Sequence, residues 1–136
     1  MLIDTHAHLY LEEFDVDRDA MIQRAEGMGV GKFYLPNIDS SSIDPMLKLE
    51  KEHPGQCFPM MGLHPCSVKE NYEQELALIE KWLATRHFCA IGETGIDLYW
   101  DASYIEEQKI AFRRQIQWAK ELGIPVIIHS RESTEH

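Results

Sequence analysis

The chain has 136 residues, 44% of them apolar, and a formal net charge of −10. That size suits one modest domain with a filled core, while the acidity excludes a broad basic surface for duplex nucleic acid. An anionic substrate would have to be met locally, by metal ions or a few cationic side chains, and part of the acidity would be the charge that holds those ions.

The elements come in a regular order. The first apolar run, Leu2–Thr5, predicts a strand, and Asp17–Met28 predicts a helix with Met21, Ile22, Ala25 and Met28 on one face. Lys32–Pro36 predicts the second strand. Ser42–Glu52 predicts the second helix, with Ser and Asp as capping candidates and Pro45 in its first turn. The third strand is expected at Phe58–Gly62, followed by a helix over Tyr72–Thr85 that aligns Leu76, Ile79 and Leu83. The fourth is expected at Phe88–Gly92. The longest helix follows, Ser103–Leu122, with Ile105, Phe112, Ile116 and Ala119 facing one way and Gly123 and Pro125 as its stop. Val126–His129 closes the series as a fifth strand.

Strand starts lie roughly 30 residues apart, the size of a βα unit. Continuous apolar strands alternating with amphipathic helices imply an α/β fold with a parallel sheet and helices outside it. An open doubly wound sheet and part of a (β/α)8 barrel both fit. The first βα turn lacks a GxGxxG fingerprint, which weakens a dinucleotide-binding open sheet. A complete barrel needs about 250 residues, so the barrel reading makes this chain an incomplete one.

No apolar run approaches the ~18 residues that span a membrane, no basic region precedes an apolar stretch at the start, and no basic amphipathic stretch suggests a membrane-surface module. Cys57, Cys66 and Cys89 form no CxxC pair. Reduced thiols, and hence a cytoplasmic location, are expected.

In a parallel α/β protein the site lies at the carboxyl ends of the strands. This chain places ionisable groups there repeatedly. The first strand leads into Asp4-Thr5-His6-Ala7-His8. Residues two apart on a strand share a face, so both imidazoles can reach one ion, and Asp4 could fix a ring's tautomer. The fourth strand leads into Glu93, flanked by Gly92 and Gly95 and followed by Asp97. Its carboxylate could bridge two cations. His129 closes the fifth strand, where an unpartnered polar group is costly, and Arg131 beside it has the planar fork that suits a phosphate. His64, before Pro65, could contact substrate or donate a proton. Singly, these residues also read as loop histidines, a capping carboxylate and a satisfied core histidine. Jointly, His6, His8, Glu93 and His129 would converge at one rim, a set able to generate hydroxide from bound water. Cys66 is read as structural. His53 reads as a helix-end residue, and His87 and His136 have no assigned chemistry.

The segments Asp4-Thr5-His6-Ala7-His8, Gly62-Leu63-His64-Pro65, Ala90-Ile91-Gly92-Glu93-Thr94-Gly95-Ile96-Asp97 and Ile128-His129-Ser130-Arg131, with Glu107-Gln108-Lys109-Ile110-Ala111-Phe112, resemble the TatD-family metal-dependent deoxyribonucleases. These belong to the amidohydrolase-like barrel hydrolases. The resemblance covers the whole chain. It implies parallel βα repeats forming the first five strands and four helices of a (β/α)8 barrel, with residues 1–136 as the truncated N-terminal portion of a single hydrolase domain.

It further implies two divalent ions (Mg²⁺, Mn²⁺ or Zn²⁺). His6 and His8 would hold one, His129 the other, and Glu93 both, with His64 and Arg131 near the substrate phosphate. The implied activity is a 3′–5′ exonuclease on single-stranded DNA or RNA. Ester hydrolysis within the same superfamily, for example on aminoacyl-tRNA, and a catalytically incomplete metal-binding fragment are the alternatives. Family members run to about twice this length and supply a further histidine ligand and a general-base aspartate beyond the last residue here. Open strands at both edges then predict self-association.

Overall fold

Every strand pairing among the described residues is parallel. The computed structural model describes residues 1–133; the expected loop end at Glu135–His136 lies outside them. Strands β1 (Leu2–Asp4), β2 (Val30–Leu35), β3 (Cys57–Pro59), β4 (Ile91–Asp97) and β5 (Val126–Arg131) alternate with helices α1 (Arg18–Gly27), α2 (Ser40–Glu52), α3 (Tyr72–Thr85) and α4 (Ile105–Leu122). Hydrogen bonding orders them β1-β2-β3 and β4-β5.

The two groups are joined through Met61, whose N–H donates to Ala90 (3.2 Å) and whose carbonyl accepts from Gly92 (3.0 Å). Asn37, just past β2, ties across to the same strand. Its N–H donates to the Gly92 carbonyl at 3.0 Å, and its carbonyl accepts from Glu93 at 3.1 Å. The result is one curved parallel wall in chain order, the arrangement of five consecutive strands of a (β/α)8 barrel.

Apolar side chains on the wall and the inner helix faces make the core. Leu35, Ile43, Met46, Met61, Leu63, Leu76, Ile79 and Ile91 are fully buried, each contributing about 1.5–3 kcal/mol by leaving water. The outer strands are different: Leu2 is 62% exposed and Ile128 57%.

Four local expectations need correction. First, β4 begins at Ile91 and runs through Gly-Glu-Thr-Gly-Ile-Asp, so Glu93 lies within the strand and Phe88–Ala90 precede it. Its polar end is sustained by non-local partners. Gln108 of α4 accepts from the Asp97 N–H (2.9 Å) and donates to the Asp97 carbonyl (3.1 Å). At Gly95, φ is +140°, and a Cβ there would overlap the His129 carbonyl oxygen. Only glycine lets β5 approach so closely.

Second, α4 does not bury the predicted face. Gln108, Ala111, Gln115, Trp118 and Ala119 are buried, while Ile105, Phe112 and Ile116 are half-buried. The glutamines turn inward because the strand ends need polar partners: Gln115 accepts from the Leu63 N–H at 2.9 Å. A buried N–H left without a partner costs about 1–3 kcal/mol.

Third, α2 starts two residues early. Asp39 accepts from the Ser41 N–H (2.9 Å), and the Asp39 N–H donates to Ser42 Oγ (3.2 Å). This cap moves Pro45 from the first turn into the helix. Fourth, Met28, expected on the inner face of α1, is exposed.

Candidate metal centre

Glu93 occupies the middle of β4 and is 4% exposed. A carboxylate so placed is costly unless cations or donors surround it. Four histidine rings do. Glu93 Oε1 lies 3.2 Å from His6 Nε2 and 3.3 Å from His8 Nε2. Glu93 Oε2 lies 3.1 Å from His129 Nδ1 and 3.7 Å from His64 Nε2. Burial alone would raise the carboxyl. The close His8 ring and the charges of His64, His6 and His8 outweigh it and take the group down to about 2.

His6 and His8 sit beyond β1 rather than on it, so strand alternation does not align them. The chain bends at Thr5 and His6 and is tied to β2 again where the Ala7 N–H donates to the Tyr34 carbonyl at 2.9 Å. Asp4 serves the backbone, accepting from the His6 N–H at 3.1 Å, and does not touch a ring. The His8 ring is held by Tyr10, whose hydroxyl lies 3.0 Å from Nδ1.

Proton positions follow from the neighbours. The Cys66 N–H donates to His64 Nδ1 at 3.1 Å. That nitrogen is an acceptor, so the proton of the neutral ring is on Nε2, aimed at Glu93. Burial, the largest influence, lowers the pKa of His64 despite the charge of Glu93. His64 is thus a hydrogen-bond donor facing the cluster. His129 is clasped between two carboxylates, with Nε2 2.8 Å from Asp97 Oδ2. Both ring nitrogens face carboxylates, and the shorter Asp97 contact is the carboxylate–histidine arrangement that orients ligating rings. Burial works against ionisation of Asp97, but the His129 bond and the Tyr99 N–H hold its carboxyl below the usual range.

The donor set fits divalent cations. Within it, one atom each from His6, His8 and Glu93 lie within 4.8 Å of one another, and so do atoms of His64, Glu93 and His129. Buried Glu93 Oε1 accepts no hydrogen bond from any described residue, an unmet demand that a cation would satisfy.

Residues 3–136 match the family model described as TatD related DNase. The chain belongs to that family. It is 38% identical over 135 residues to a protein of Bacillus subtilis named uncharacterized metal-dependent hydrolase YabD, covering 99% of this chain and 52% of that one. It is 31% identical to an Erwinia tasmaniensis protein named 3′-5′ ssDNA/RNA exonuclease TatD, covering 98% and 52%. The crystal structure of the TatD homologue YjjV from Escherichia coli superposes with a TM-score of 0.86 at 32% identity, over 96% of this chain and 51% of that one. The chain spans about half the length of the curated relatives it matches.

Within this TatD-related chain, His6, His8, His64, Glu93 and His129 come together as a cluster. Arg131 does not join them. Its guanidinium lies over the Tyr99 ring at 3.7 Å and near Trp100 at 5.6 Å. Cys66 donates to Asp97 Oδ2 at 3.4 Å, and burial together with that bond pushes its thiol up to about 11, a protonated structural group. His53 pairs with Asp19 at 3.2 Å, away from the cluster.

Asp97 is the residue that sequence reasoning passed over. It stood in the quoted motif, four positions after Glu93. Had β4 been extended through the motif, alternation would have put both carboxylates on one face.

Proposed function

We propose that the chain carries the metal-binding half of a metal-dependent phosphodiesterase that trims single-stranded DNA or RNA from the 3′ end, within a single (β/α)8 hydrolase domain of a cytoplasmic protein. The observation behind this reading is the buried Glu93 carboxylate, each oxygen facing its own pair of histidines. His6 and His8 would hold one divalent ion and His129 a second, with Glu93 available to both. Such ions polarise a phosphodiester and lower the pKa of bound water. Asp97 orients His129. His64 donates its Nε2–H to a phosphate oxygen. Arg131, anchored on Tyr99, meets the next phosphate along the strand. The family resemblance assigns a further histidine ligand and a general-base aspartate to the half of the relatives that this chain does not span.

The test is Mn²⁺-dependent shortening of a 5′-labelled single strand by the unaltered chain, Glu93→Ala and His6→Ala. Measurable cleavage by the unaltered chain that persists undiminished in both variants would overturn the site assignment. A second reading rests on the coverage of only 52% of the relatives: a metal-binding fragment without turnover. Metal binding without cleavage supports it, and cleavage by the chain rejects it.

Among the described residues, no helix is long and apolar enough to cross a membrane.

A further inference from the structure

Tyr10 stands two residues past His8 and was given no role by the motifs. It is 3% exposed, and its hydroxyl touches two groups, the Pro36 carbonyl oxygen and His8 Nδ1. A carbonyl oxygen can only accept, and a phenol has one proton to give. The hydroxyl therefore donates to Pro36, and its oxygen accepts from His8. Ser42, the other hydroxyl beside it, is committed elsewhere: it donates to Asn37 Oδ1 at 2.6 Å and accepts from the Ile38 and Asp39 N–H groups at 3.2 Å.

We propose that Tyr10 is a positioning residue that locks the His8 ring with a proton on Nδ1, so that Nε2, directed at Glu93, is the nitrogen left to face a cation. Pro36 directly follows β2, so the lock ties a ring on the β1 loop to the end of the neighbouring strand. The device is the mirror image of that at His64, where a backbone N–H occupies Nδ1 and sends the proton to Nε2. One carboxylate is thus approached by a ring preset to ligate and a ring preset to donate. A ligating imidazole must offer a bare nitrogen, and partners that preset the tautomer usually change metal affinity by about 10–100-fold. The proposal rests on the reading of His8 as a ligand for its consequence, but not for the proton position itself.

Two measurements separate these. Long-range ¹⁵N–¹H correlation spectra of the unaltered chain, without added metal, report which His8 nitrogen is protonated. A protonated Nδ1 is expected, and a bare Nδ1 overturns the proposal whether or not metal binds. Calorimetric titration with Mn²⁺ then compares Tyr10→Phe, which keeps the ring in the core and removes the acceptor. We expect His8 to lose its single tautomer and affinity to fall about 10–100-fold, with no further fall when the change is made in His8→Ala. An equal fall in that background would show a merely structural effect and overturn the role. If the unaltered chain binds no Mn²⁺, the ligand reading fails, while the ring spectrum still decides for or against Tyr10. The same spectrum decides if Tyr10→Phe does not fold.

Discussion

All seven residues of β4 are buried, whereas all three of β1 are exposed and no residue of β5 is more than half-buried. The inner strand supplies the carboxylates Glu93 and Asp97. The outer elements supply histidines that reach over the rim: His6 and His8 from beyond β1, His129 from β5. The contrast shows how the charge is placed. Carboxylates are set by a hydrogen-bonded strand that cannot shift without breaking the wall. The rings of His8, His64 and His129 are more open than the carboxylates and are set one by one, through Tyr10, the Cys66 N–H and Asp97. Anion first and rings second is the physical order of the site. A buried anion with its neighbours removed is the expensive state.

The contrast can be broken at the centre or at the edges. The largest effect should come from Glu93→Gln. It keeps the shape, removes the charge shared by both histidine groups, and should abolish Mn²⁺ binding in calorimetry while the circular dichroism spectrum is retained. Next comes Gly95→Ala, whose Cβ would overlap the His129 carbonyl. We expect a loss of about 3 kcal/mol in urea unfolding, with β5 the first strand to lose amide-exchange protection. Asp97→Asn should leave stability within about 1 kcal/mol but weaken Mn²⁺ binding about 10–100-fold, because it releases the ring of His129. The smallest effect on stability belongs to the edge. Ile128→Lys should change it by no more than about 0.5 kcal/mol. By placing a charge on the exposed apolar edge, it should also reduce the self-association expected of open strands in sedimentation velocity. A sharp monomer already in the unaltered chain would contradict that expectation.

Much of this fold was legible because apolar runs and helical faces are local signals. The α3 span Tyr72–Thr85 is found as expected, since Leu76 and Ile79 at helical spacing point to one core. What was not legible depends on distant partners. The polar stretch Gly92–Asp97 looks like a loop until Asn37, Gln108 and β5 supply its hydrogen bonds. The inward glutamines of α4 look like surface residues until the ends of the strands they serve are placed beside them. At the site, histidine and carboxylate identities pointed to the cluster. The proton positions, the ring contacts of Asp97 and the aromatic seat of Arg131 required coordinates.

The central claim, that Glu93 joins two ions held by histidines on either side, is tested most directly by electron paramagnetic resonance of the Mn²⁺-loaded chain. Two ions per chain with exchange-coupled spins are expected, with loss of that signal in Glu93→Gln. A single ion, or two uncoupled ions in the unaltered chain, would contradict it.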